Sequence, residues 1–167
     1  MFQKILVPLD GSKLAECALP CAEEIAKGCG TDEVILVSVT ERLTGETFAP
    51  EIKEQYRVSD RQDISGAGAK VKVTFGKLEK QAQRYLGRLV KALEAKGIRA
   101  RAEVCLGNPA EEIANFAEHN NIDLIVMSSH GRSGPSRWAY GSVADKIFRA
   151  SCVPVLMVRA PGCFPGI

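Results

Sequence analysis

The residues with chemistry to offer crowd into one stretch, Ser128 to Ser142, "SSHGRSGPSRWAYGS". It follows the apolar run "DLIVM" (Asp123 to Met127) and precedes a short helical segment. It holds Gly131, Gly134 and Gly141, two arginines (Arg132 and Arg137), several hydroxyls and His130. A helix N-terminus leaves backbone N–H groups unpaired and carries positive partial charge. Where glycines remove side-chain bulk beside it, a phosphate can reach those donors. Gly131 and Gly134 then allow the close approach, Gly141 and Ser142 lie at the helix start, and Arg132 and Arg137 add charge. Ser142 has a second reading, as a plain helix cap with Asp145 completing a capping box, and both readings use the same hydroxyl. The stretch is not a P-loop, since no Gly-Lys-Ser/Thr follows. It is not the Rossmann fingerprint either, because the turn after the first strand reads "VPLDGS".

Other reactive side chains have blander readings. His130 lacks a Ser or Asp partner at a telling spacing, so it orders the loop rather than serving as a general base. His119, in "EHNN", reads as an exposed helix end. Glu111 and Glu112 read as first-turn acids of a helix, not as the paired acids of a glycosidase. Asp10 reads, on spacing alone, as a turn acid ahead of Ser12. Trp138 and Tyr140 either stay within the loop or pack, on the core or on a partner. Among six cysteines there is no Cys-x-x-Cys, and Cys17 and Cys21 stand four apart in a helical pattern. Reduced, mostly buried thiols are the expectation. A Cys17/Cys21 metal or redox pair stays open but has no clustered histidines beside it.

The elements that must position these residues alternate. "KILVPLD" (residues 4–10) reads as a buried strand. Ser12 opens a helix that Pro20 should bend and that Gly28 and Gly30 stop. "DEVILVSVTE" (32–41) is a second strand. The helix over Lys77 to about Lys96 puts Leu78, Tyr85, Leu89, Ala92 and Leu93 on one face, with Gly97 ending it. "RARAEVCLG" (99–107) is a strand, and Asn108 caps a helix with Pro109 at its first position. The strand "DLIVMSS", the helix of residues 142–151 and the strand "VPVLMVRA" complete the order. Strand–helix alternation predicts an α/β fold: a five-stranded parallel sheet, doubly wound, with helices on both faces. Ligands of such sheets sit beyond the carboxyl ends of the strands, where strand order reverses. Asp10, Val39 and Ser128 should share that edge. Residues 41–76 break the alternation and read as a partly disordered insertion or as a flap over the ligand edge. Within them "KVKVTF" (70–75) alternates like an edge strand or a hairpin arm.

The chain has 167 residues, enough for one domain with a core. We expect a single domain over 1–160 and a tail over 161–167. A net charge of +2 implies no nucleic-acid or membrane field. No apolar run reaches the ~18 residues a span needs. The N-terminus meets a charge and a turn too early for a signal peptide, so the cytoplasm is expected. "VPVLMV" would form an apolar sheet edge, a hazard that two-fold pairing with a second copy removes.

"KILVPLDGS", "SSHGRSGPSRWAYGSVADKI" and "CVPVLMV" together resemble the universal stress protein (UspA-like) family, over all but residues 41–76 and the tail. That family shares the adenine nucleotide alpha hydrolase-like fold. Its nucleotide-binding members carry Gly-x-x-Gly, nine residues, then Gly-Ser/Thr. On this sequence the second glycine is Gly131 and Gly141-Ser142 closes the motif, while Ser128 stands where the first glycine belongs. The resemblance implies an adenine nucleotide, ATP first, with or without Mg2+. It implies that Asp10 accepts from the nucleotide near base and ribose, with Pro8 and Leu9 shaping the turn. Val39 would frame adenine with main-chain groups, and Met127 would pack nearby. Ser128, Gly131, Arg132, Gly141, Ser142 and Val143 would hold ribose and phosphates. A dimeric stress sensor or switch with slow or no hydrolysis follows, acting on an unidentified protein partner. The alternatives are a member that works by protein contact without nucleotide, kept open by Ser128, and a weak ATPase.

Overall fold

The computed structural model describes residues 1–40, 67–129 and 141–159, and for residues 67–75 and 77 the backbone alone. Five strands are β1 (Lys4–Pro8), β2 (Glu33–Thr40), β3 (Ala100–Leu106), β4 (Leu124–Ser128) and β5 (Val155–Val158). They form one parallel sheet in the order β3-β2-β1-β4-β5. The helices are α1 (Lys13–Glu16), α2 (Ala18–Cys29), α3 (Ala67–Glu94), α4 (Pro109–His119) and α5 (Ser142–Ala150).

The central strands are apolar without interruption because both faces are covered. Ile5 and Val7 turn to one side, with Val34, Leu36, Leu124 and Val126. There they meet Ala18, Ala22 and Ala26 of α2 and Leu86 and Leu93 of α3. Leu6 turns to the other, with Ile35, Val37, Ile125 and Met127, against Ile113 and Ala117 of α4 and Ala144 and Ile147 of α5. This is the doubly wound sandwich that the alternation predicted.

Four local expectations need correction. The helix after Ser12 does not bend at Pro20; it breaks at Cys17, so that α1 and α2 are separate. Pro20 has no N–H to give Glu16, four residues back, and its ring crowds that carbonyl. The interruption therefore falls a turn upstream of the proline. Helix α3 begins at Ala67, not Lys77, and takes in "KVKVTF", which had read as a strand. Two valines lower helix propensity by only tenths of a kcal/mol each, roughly, and a helix already nucleated propagates through them. Leu78 is exposed, as is Ala92, and Leu86 occupies the deepest place on that helix. The thiols of Cys17, Cys21, Cys29 and Cys105 are half-buried and that of Cys152 is exposed; all five are free, not mostly buried. Residues 41–66, and with them the question of insertion or flap, lie outside the described residues.

The seam between β1 and β4 is where strand order reverses. At its amino end Asp123 closes it, its Oδ2 accepting from the backbone N–H groups of Gln3 (2.9 Å) and Lys4 (2.8 Å). At its carboxyl end Pro8 opens it. Leu9 donates to Val37 O at 2.8 Å, so the odd residues of β1 bond toward β2. The even residues face β4, and the next of them, Pro8, has no N–H. Accordingly β1 pairs with β2 as far as Pro8↔Val37 but with β4 only as far as Leu6↔Ile125.

Candidate functional site

Parallel strands end on one edge, and that edge carries the site. Beyond β1 the chain turns through Asp10, Gly11 and Ser12. Gly11 has φ 84, a left-handed conformation that suits glycine. Asp10 Oδ1 accepts from Ser12 N at 2.9 Å, and Ser12 Oγ caps α1 by accepting from Ala15 N at 3.1 Å. Asp10 is thus the turn acid that spacing suggested. An ionised carboxylate has about four acceptor positions, so this bond leaves it able to accept further donors.

On β2 the alternation works in the same way. Val37 O serves β1, whereas Thr40 O accepts from Gly107 N at 3.1 Å, on the β3 side. Val39 shares the parity of Val37, so its main-chain groups point to the β1 side. There β1 has already turned away at Gly11. Val39 therefore presents backbone donors and acceptors above Asp10. Cys105 pairs with Val39 in the β2–β3 register. Burial, with help from Glu112 and Glu103, pushes its thiol pKa up and keeps it protonated.

The third wall comes from β4 and α5. Met127, Ser128 and Ser129 are buried. Ser129 N donates to Val158 O at 2.8 Å, and Ser129 O accepts from Gly141 N at 2.9 Å. This last bond seats the start of α5 on the end of β4. Gly141 is the N-cap, and Asp145 N donates to its carbonyl at 2.9 Å. Ser142 is therefore the first helical residue, not the cap, and Asp145 pairs with Arg149 Nε at 3.0 Å instead of closing a capping box. Among the described residues no side chain caps this helix. Its first-turn N–H groups and positive dipole end, at Ser142 and Val143, lie at the carboxyl end of β4. Such an arrangement suits an anion with a planar, hydrogen-bonding group attached.

The structure brings Pro8, Leu9, Asp10, Val39, Met127, Ser128, Gly141, Ser142 and Val143 to this edge. Gly131 and Arg132, with His130, Gly134, Arg137, Trp138 and Tyr140, lie outside the described residues. The sequence did not single out Ser129, whose contribution is a carbonyl and leaves no side-chain signature. It placed Tyr85 only on a helix face, whereas the hydroxyl of Tyr85 on α3 donates to Glu16 Oε1 at 3.2 Å. Burial first, then Glu16 and Asp10, push the Tyr85 pKa well above the ordinary phenol value. Asp10 is thus close enough for its charge to reach α3. Among the described residues no group of three or more His, Cys, Asp or Glu could hold a metal ion, the Cys17/Cys21 pair included. His119 is exposed at the end of α4, with Nδ1 2.7 Å from Asn115 O.

Fold and site together define a doubly wound α/β domain in which the start of α5 is hydrogen-bonded to the residue that follows β4, at the carboxyl edge of the sheet. The sequence profile described as Universal stress protein family matches residues 1–159, and the chain belongs to that family. It is 34% identical to Universal stress protein YxiE of Bacillus subtilis, over 95% of this chain and all of that protein. It is 31% identical to Universal stress protein MJ0577 of Methanocaldococcus jannaschii, over 95% of this chain and 96% of that one. The solved structure of MJ0577 superposes with a TM-score of 0.76, covering 97% of this chain and 99% of that one. Two more distant structures share the fold: a universal stress protein in complex with cAMP (19% identity, TM-score 0.57, 95% and 98% covered) and a family protein of Arabidopsis thaliana with AMP bound (16%, 0.60, 96% and 93%). Among the described residues no helix is long and apolar enough to cross a membrane.

Proposed function

We propose that the chain binds an adenine nucleotide, ATP foremost, in the crevice between the carboxyl ends of β1 and β4. The observation that carries this is the Gly141–Ser129 hydrogen bond. It sets the start of α5, which no described side chain caps, against the end of β4, on the edge that also carries Asp10. In this reading the N–H groups of Ser142 and Val143 and the Ser142 hydroxyl hold phosphate oxygens, with Gly131 and Arg132 completing the cradle. Asp10 accepts from the ribose, Val39 offers main-chain groups to the adenine edge, and Met127 packs beneath. Two proteins of the same fold whose structures hold cAMP and AMP are in keeping with this. Asp10 is the one carboxylate among the assigned residues that could reach a Mg2+ ion bound with ATP, which would supply charge neutralisation of the phosphates.

The protein then works in the cytoplasm as a dimeric stress-response sensor or switch, its occupancy read by a protein partner. Hydrolysis is slow or absent, since none of the assigned residues is placed to activate water. A second reading, protein contact without nucleotide, rests on Ser128. Its side chain is buried where the motif has none. Calorimetric titration with ATP, followed in parallel by the fluorescence of Trp138, decides between them. Saturable binding is expected, and Gly141→Val should abolish it with the circular dichroism spectrum unchanged. No binding by the parent chain would overturn the reading. Phosphate release at more than a few turnovers per hour would replace the sensor with an ATPase.

A further inference from the structure

Helix α3 carries a column of cations that no acid among the described residues answers. Lys80, Arg84, Arg88 and Lys91 are spaced by four, four and three residues, and all are exposed. That spacing places them on one stripe, opposite Leu86 and Leu93, which are 0% and 2% exposed in the core. The column runs ~16 Å along the helix. Like charges one turn apart destabilise a helix, and here three such steps follow one another. The nearest acids on the helix, Glu79 and Glu94, bracket the column and do not lie within it. Among the described residues, none of the four makes an ion pair. Other exposed cations are either paired, as Lys13 is with Glu16, Lys96 with Glu23 and Arg149 with Asp145, or stand singly outside α3, as Lys27, Arg99, Lys146 and Arg159 do.

We infer that this stripe is a docking surface for an acidic helix of a partner protein. A second helix with Glu or Asp at i, i+4, i+8 and i+11 repeats the same rise and lays a carboxylate opposite each cation. Other polyanions fit less well. A membrane surface takes an amphipathic helix through its apolar face, and here that face is spent on the core. A duplex strand curves away from a straight column, and no exposed aromatic side chain is interleaved with the cations to stack on bases. Tyr85 is turned to Glu16. A net charge of +2 also gives little long-range attraction for nucleic acid. The surface lies on a different element from the proposed nucleotide site and does not depend on that site being occupied.

The test is anisotropy of a labelled helical peptide carrying Glu at i, i+4, i+8 and i+11, against a peptide of the same composition with the order scrambled. Binding at least tenfold tighter to the patterned peptide is expected, weakening as salt rises. Arg84→Glu/Arg88→Glu should lose that preference while the melting temperature stays near that of the parent. Lys80→Ala/Lys91→Ala, milder, should weaken binding about threefold or more. Equal affinity for the two peptides would overturn the proposal. So would tighter binding to duplex DNA or to anionic phosphatidylserine vesicles than to the patterned peptide.

Discussion

Asp10 has two tasks that a pair of substitutions can separate. Its Oδ1 holds Ser12 N and so fixes the turn into α1; its charge, on our reading, also faces the nucleotide. Asp10→Asn keeps an oxygen for Ser12 N and loses the charge. Asp10→Ala loses both. We expect the asparagine variant to melt within a few degrees of the parent while binding ATP at least tenfold more weakly. The alanine variant should lose, in addition, about 1 kcal/mol of stability from the broken turn bond. Denaturant melts with calorimetry on the same samples check this. If both variants bind as the parent does, Asp10 is a turn residue and nothing more. The same two-task ambiguity explains what was legible at residue level. Asp10, Val39 and Ser128 could be assigned to one edge because each ends an apolar run. The reading of Ser142 as a plain cap fails, because Gly141, a type also favoured at that position, is the N-cap. The bond that marks the cap is Asp145 N to the Gly141 carbonyl at 2.9 Å.

Elements were most legible where burial is two-sided. An unbroken apolar run such as "ILV" or "LIVM" has one use in a chain of this composition, and all five strands fall within their expected runs. Helix α3 was least legible. A period of two over "KVKVTF" is a strand signal, yet six residues cannot outweigh a long helix that continues through them. The same helix carries Tyr85, which ties it to α1. Its hydroxyl is half-buried and donates to Glu16, so the folded state holds the phenol proton more tightly than the unfolded chain, whose value is near 10.0. A group whose pKa is raised on folding contributes stability below the unfolded value and loses it as pH rises. The parent should therefore lose stability progressively above about pH 10, through this residue. Tyr85→Phe has no proton to lose. It should be less stable than the parent at pH 8 and should lose less of its stability with rising pH, so that the two converge. Urea midpoints measured from pH 8 to 11.5 test this, and curves that stay parallel throughout would remove Tyr85 from the account.

At the scale of the whole molecule the two edges of the sheet are treated differently. Edge strand β3 is guarded: Arg101 pairs with Glu33 and Glu103 and lies over the ring of Phe116. Charges of this kind discourage a further strand. Edge strand β5 reads "VLMV", with Leu156 37% exposed and no charge within it. The carbonyls of Pro154 and Val158 accept from Ile125 and Ser129, so the even residues of β5 bond to β4. By alternation the N–H and C=O groups of Val155 and Met157 point outward. Two copies related by a two-fold axis can satisfy these groups in one antiparallel seam, which is the dimer we propose. Met157→Pro tests it at the backbone. It removes an outward N–H and sets a ring in the seam, while the bonds to β4, made by even residues, stay intact. Sedimentation should find the parent at twice the mass of one 18.0 kDa chain and the variant at that single mass, with the circular dichroism spectrum preserved. A parent that sediments as one chain at tens of micromolar would mean that β5 is covered in some other way. A variant that still dimerises would place the interface elsewhere on the surface.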